Sequence, residues 1–172
     1  MLTNYLRRHF GIRNIDTYLD LYRDLRGAYE FTDELNVEQT VKTICANLHG
    51  KISVREESLL LLRLMEFCGY RADGPAVVMF RTMADEFHTS ESDFADFSDY
   101  VEGRETEHVM IHHLANTDGQ VKTLLKPETG QLLFTYTGND TVMLNDVPVL
   151  SGAYQVWMHS SVLKGKGGVP YY

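Results

Sequence analysis

Apolar residues recur at three- and four-residue steps as far as Val101 and at two-residue steps afterwards, so the chain reads as helical first and stranded later. The stretch from Ser53 to Gly69 is the segment around which the helical part is expected to pack. Its opening, Ser53-Val54-Arg55-Glu56, is a capping box in which the serine hydroxyl and the glutamate carboxylate each satisfy a free backbone N–H. Leu59 to Leu62, Leu64, Met65, Phe67 and Cys68 follow. They are apolar around most of the circumference, as in a helix surrounded by others, and Gly69 supplies a stop.

The same period marks further helices. Residues 3–10 end at Gly11, and a second helix starts at Asn14 with Ile15, Tyr18, Leu19, Tyr22, Leu25 and Tyr29 on one face. A third opens with the capping pair Asn36 and Gln39 and carries Val37, Val41, Ile44, Cys45 and Leu48 as a stripe ending at Gly50. After the turn Asp73-Gly74-Pro75, a helix from Pro75 to about His88 points Ala76, Phe80, Met83, Ala84 and Phe87 inward. Ser90 with Asp93 starts the last, whose apolar positions are Phe94, Phe97 and Val101. About six helices with short connections predict an all-α bundle over residues 1–103.

Past Gly103-Arg104 the period becomes two and a small antiparallel β module, roll or sandwich-like, is expected over residues 104–172. Its strand candidates are His108–Leu114, Val121–Leu125, Leu132–Tyr136, Thr141–Leu144 and Tyr154–Met158, separated by NTDG, KPETG, TGND and SG turns. The fold class expected is therefore α+β, a helical bundle followed by a β module. The ending Val169-Pro170-Tyr171-Tyr172, with no polar tail, reads as an interior break of a longer chain.

Composition narrows the setting. With 44% hydrophobic and 23% charged residues the chain is of ordinary globular composition. No apolar run approaches the roughly 20 residues of a membrane span, and Met1–Phe10 lacks the apolar core of a signal peptide, so a cytoplasmic location is expected. Cys45 and Cys68 fall on apolar helix faces and read as small buried thiols. A net charge of −8 argues against nucleic acid, whose phosphates require a basic surface. Between Asp85 and Glu102 stand seven carboxylates, Asp85, Glu86, Glu91, Asp93, Asp96, Asp99 and Glu102, with no lysine or arginine. Such a run is either a solvated face or an oxygen-rich cation site.

Candidate chemistry is sparse. His108, His112 and His113 lie beside Glu105 and Glu107, but on a strand His108 and His112 are about 13 Å apart by strand rise, too far to share one ion. Neither Gly50-Lys51-Ile52-Ser53 nor Lys164-Gly165-Lys166-Gly167-Gly168 has the spacing of a phosphate loop. A nucleophile elbow, a CxxC pair, an HExxH helix and an EF-hand loop are likewise missing from the sequence, and Asn139-Asp140-Thr141 reads as a turn rather than a glycosylation site.

Three stretches carry a resemblance. Ala72-Asp73-Gly74, then Met83-Ala84-Asp85-Glu86-Phe87, then Thr89-Ser90-Glu91-Ser92-Asp93-Phe94 resembles the second half of a TerB-like helical domain. Residues 6–25 resemble the part of that domain after its first turn, which implies a chain starting one helix late. Residues 132–172 resemble the β module that follows a TerB-like domain and precedes the ATPase in large bacterial ABC-transporter ATP-binding proteins of the pigment-exporter type. Leu144-Asn145 and Lys164-Gly165 are also similar to forkhead-associated domains, without the arginine and serine that read phosphothreonine.

The resemblance implies a non-catalytic regulatory or docking region with a downstream ATPase domain of the same chain as its partner, and with another protein as a further candidate. It implies no catalytic residue and no cofactor in these residues. TerB-like proteins are thought to hold a divalent cation on early helix carboxylates, where this chain has Val78, Met79 and Phe80, so Asp73 alone carries over from the motif. A second reading is a free-standing acidic module that binds Ca²⁺ or Mg²⁺ through Asp73, Asp85 and Glu86 together with the acidic run. A third is a small hydrolase built on Glu105, Glu107 and the nearby histidines. Trp157, Tyr154, Tyr171 and Tyr172 read as core or as contacts to a further domain.

Overall fold

The computed structural model describes residues 37–74, 76–115, 118–127, 130–165, 168 and 170–171. The helices expected over 3–10 and from Asn14, the Asn36 cap, Pro75 and Tyr172 lie outside the described residues. The chain divides into two compact units, Met1–Ser90 and Glu91–Tyr172.

In the first unit the capping box forms as expected. Ser53 Oγ accepts from the Glu56 amide at 3.3 Å and Glu56 Oε2 accepts from the Ser53 amide at 2.8 Å, which starts α2 (Val54–Cys68). Such a cap contributes about 1 kcal/mol. The helix ends on Gly69 at φ 63°, with Gly69 N–H donating to Glu66 O and Tyr70 N–H to Met65 O. It buries Leu61, Leu62 and Met65 completely, and also Glu57. Before it runs α1 (Val37–Leu48), which buries Cys45 but leaves Ile44 49% exposed, so its stripe is narrower than its spacing suggested. After it comes α3 (Val77–Glu86), packed on α1 and α2 through Phe80, Met83 and Ala84. The buried hydroxyls of Ser58 and Thr82 each donate to the carbonyl four residues back, at 3.0 Å, so neither is left without a partner. Cys68 is exposed, against the expectation of a buried thiol.

The second unit begins with α4 (Glu91–Glu102), and here the expected architecture needs correction. A six-helix bundle followed by a separate β module is not what forms. Four helices are described and the last packs on strands of its own unit; α+β is retained. The strands are β1 (Val109–His113), β2 (Gln120–Lys126), β3 (Gln131–Thr137), β4 (Val142–Leu144), β5 (Val147–Val149), β6 (Tyr154–Trp157), β7 (Leu163–Lys164) and β8 (Pro170–Tyr171). They form two antiparallel four-stranded sheets, ordered β1-β2-β3-β6 and β5-β4-β7-β8. The β4–β5 turn places Asn145 and Asp146 at φ 50° and 65°, the left-handed pair that a two-residue hairpin turn requires.

Alternation along β2 and β3 sorts their side chains between two layers. Val121, Phe134 and Tyr136 join Val142, Val149 and Leu163 of the second sheet in one core, with Leu114 beside them and Leu144 and Trp157 packed against it. The opposite face carries Lys122, Leu124, Lys126, Leu133 and Thr135, and α4 covers it with Phe94, Phe97 and Tyr100. The helical period identified α4, but period alone does not say what covers its apolar face. Tyr100 decides that. Its hydroxyl donates to Lys122 O at 3.1 Å and lies 3.0 Å from Thr135 Oγ1, partners that only the sheet offers.

Tyr136 is wholly buried, and its phenol lies over the backbone of Gly119 and Gly138. A Cβ on either glycine would sit 2.7 or 2.8 Å from the ring carbon Cζ. Gly119→Ala and Gly138→Ala are each expected to destabilise the second unit by about 1–3 kcal/mol, the range for overpacking, read as a lower urea midpoint at unchanged slope.

Candidate functional site

The carboxylates proposed for a cation are not gathered into one set. Asp73 sits exposed in the turn between α2 and α3, where Arg71 Nε donates to its Oδ1 at 3.1 Å. That hydrogen bond, and then the guanidinium charge, hold its carboxyl below the usual range. Asp85 and Glu86 lie at the end of α3, the first exposed and the second half-buried. Among the described residues no three His, Cys, Asp or Glu side chains are grouped to hold a metal ion.

On α4 the acidic run is engaged by the unit's own cations. Asp93 pairs with Lys126 at 3.4 Å, the lysine side chain being only 9% exposed. Asp96 Oδ2 lies 2.9 Å from His108 Nδ1, and Arg104 bonds both Asp99 (2.7 Å) and Glu102 (2.9 Å). Lys126 and Lys122 also stand over the Phe97 and Tyr100 rings, at 5.2 and 4.4 Å. Within the run that suggested a solvated face or a cation site, Asp93 and Asp96 therefore bridge α4 to β2 and to the approach to β1, while Asp99 and Glu102 hold Arg104 at the helix end.

Glu105 and Thr106 serve the sheet edge. Glu105 Oε1 accepts from Ile111 N–H at 3.2 Å, and Thr106 Oγ1 accepts from Val109 N–H at 3.1 Å. Thr106 N–H donates to Val109 O at 2.9 Å. These contacts occupy outward backbone groups of β1 that would otherwise pair with another strand. His112 and His113 are both exposed. Trp157 donates its indole N–H to Ser161 O at 2.9 Å and meets Phe134 edge-on at 5.4 Å, while Tyr154 is buried, so both aromatic residues belong to the packing of their own unit.

A cluster that the spacing did not disclose lies in the first unit. His49 Nδ1 is 3.0 Å from Glu57 Oε1, and the Glu57 side chain is only 3% exposed. Its other oxygen, Oε2, is buried with no hydrogen-bond partner. The His88 ring meets that of His49 edge-on, 5.0 Å between centroids at 88°. Cys45, one helical turn before His49, is buried, and burial first, then the charges of Glu86 and Glu57, push its thiol up to about 11. Glu57 was hidden because the glutamate beside it, Glu56, explains the capping box; His49 and His88 stand at the ends of predicted helices, where a histidine needs no special account.

No protein-family model, curated protein or solved structure matches the chain.

Two measurements check this geometry. Asp93→Asn removes the charge that pairs with Lys126 under α4 and is expected to cost roughly 1–3 kcal/mol, part of which returns in Asp93→Asn with Lys126→Met; a double-mutant cycle in urea reads the coupling. The Cys45 thiol keeps its proton to about 11 in the folded chain and would lose it near 9.0 when unfolded. Its contribution to stability is therefore complete below pH 9 and is lost as pH rises towards 11. Cys45→Ala is expected to flatten the fall in stability over that window.

Proposed function

We propose that residues 1–172 form a non-catalytic regulatory or docking region that acts in the cytoplasm for an ATPase domain further along the same chain. The observation that carries this reading is how the second unit uses its reactive side chains. Asp93 and Asp96 tie α4 to Lys126 of β2 and to His108 ahead of β1, Asp99 and Glu102 hold Arg104 at the end of α4, and Glu105 accepts from a backbone amide of β1. Groups held in that way serve architecture and recognition rather than turnover. The order of the TerB-like and β-module motifs supports the same reading, and so does the absence of phosphate-loop spacing from the sequence. No helix among the described residues is long and apolar enough to cross a membrane, which agrees with a region working beside a transporter rather than within the bilayer.

The experiment is direct. Purified chain with Mg-ATP is expected to release no phosphate above a buffer blank. In the longer protein, deletion of residues 1–172 is expected to leave hydrolysis by the downstream domain intact while altering its response to partners. ATP turnover by residues 1–172 that persists through successive purification steps would refute the proposal.

A further inference from the structure

We propose that His49 and His88 form a two-histidine binding site for a zinc-class divalent ion, with Glu57 behind it as the residue that orients His49. Three independent features converge on these side chains.

The first is how the helices end. Three of them close with the same pair of hydrogen bonds, in which the residue after the cap turns left-handed. In α2 that residue is Gly69, with Tyr70 N–H on Met65 O. In α4 it is Gly103, with Arg104 N–H on Asp99 O. In α3 it is His88, at φ 52°, with Thr89 N–H on Ala84 O. Glycine suits this position because it has no Cβ to clash, and a side chain there costs on the order of 1 kcal/mol. The chain accepts that cost at His88 alone among the three. Helix termination does not ask for an imidazole there, whereas a ligand does.

The second is the carboxylate. A glutamate that is 3% exposed, with one hydrogen bond and one orphaned oxygen, destabilises the fold unless positive charge comes near it. An ionised carboxylate accepts, so the neutral His49 ring that meets it carries its proton on Nδ1. With Nδ1–H donated to Glu57 Oε1, Nε2 carries the lone pair and is free to bind a metal. A carboxylate behind a ligating histidine is the usual outer arrangement of a zinc site, since it orients the ring and strengthens it as a donor. The charges of Glu86 and Glu57 both act on the Cys45 thiol, one turn from His49, and Lys42 is paired with Glu38, so the field there is negative and suits a cation.

The third is the ring geometry. An imidazole bound through one nitrogen at about 2 Å has its centroid about 3.2 Å from the ion, so two such rings at ordinary coordination angles lie about 4.5–5.2 Å apart. The His49 and His88 centroids are 5.0 Å apart with nearly perpendicular planes. Only two protein ligands are involved, in keeping with the finding that no three candidate ligands are grouped among the described residues. Water, or a donor from whatever the unit binds, completes the coordination.

The test uses the intact chain and Zn²⁺ itself. Calorimetric titration of metal-free protein is expected to give one site in the micromolar range, and 100 µM Zn²⁺ is expected to raise the melting temperature, as binding to the folded state requires. His88→Gly suits the left-handed backbone, so it folds at least as well as the parent, and it is expected to weaken zinc binding more than tenfold. Glu57→Gln is expected to weaken it about tenfold, the lower end for loss of an outer-shell partner. His112→Ala, on the exposed face of β1, is expected to leave binding unchanged. Failure of the parent to bind at 100 µM, or binding that is the same in His88→Gly as in the parent, would overturn the proposal.

Discussion

A hydroxyl or charge removed from water destabilises a fold unless a partner meets it, and the second unit is arranged around that constraint. Strand β2 alternates apolar residues with Lys122 and Lys126, and on the face that α4 covers it presents both lysines. They are tolerated because α4 supplies Asp93 to one, the Tyr100 ring and carbonyl to the other, and two aromatic faces for their cations. In return β2 and β3 supply the acceptors that Tyr100 needs. Helix and sheet therefore satisfy each other, and neither is an ordinary apolar surface on its own.

That reciprocity accounts for what could and could not be read from the residues. The starts and stops of helices, set by local chemistry, were legible: the Ser53–Glu56 box, the Gly69 stop and the change of period near Gly103 all correspond to features of the structure. Five strands were legible from alternation, whereas β5, β7 and β8 were not. β7 and β8 are two residues long, too short for a period to register, and β5 follows a turn that the sequence shows at Leu144-Asn145 without showing that a strand returns from it. The assignment of α4 to a helical bundle failed for another reason. Phe94, Phe97 and Val101 mark an inward face but are silent about its neighbour, and the residue that chooses the neighbour, Tyr100, was not counted as part of that face.

The candidate sites divide along the same line. Charged runs attract notice in a sequence, but Asp93 to Glu102 and Glu105 are mostly matched to cations or amides of their own unit. Glu57, by contrast, buries a carboxylate oxygen without a hydrogen-bond partner, inside an apolar helix next to a more conspicuous neighbour. An isolated polar residue on a buried face, such as Glu57, draws less notice in a sequence than a charged cluster does. Such residues become visible only when burial and partners are known together.

The central claim is that α4 and the two sheets form one folding unit beginning at Glu91, joined by the tyrosine and lysine contacts across β2. Residues 91–172 and residues 104–172, produced separately and compared by urea unfolding, test it most directly. A single cooperative transition for 91–172 and none for 104–172 is the predicted result. A shorter fragment that unfolds cooperatively, with stability close to that of the longer one, would contradict it.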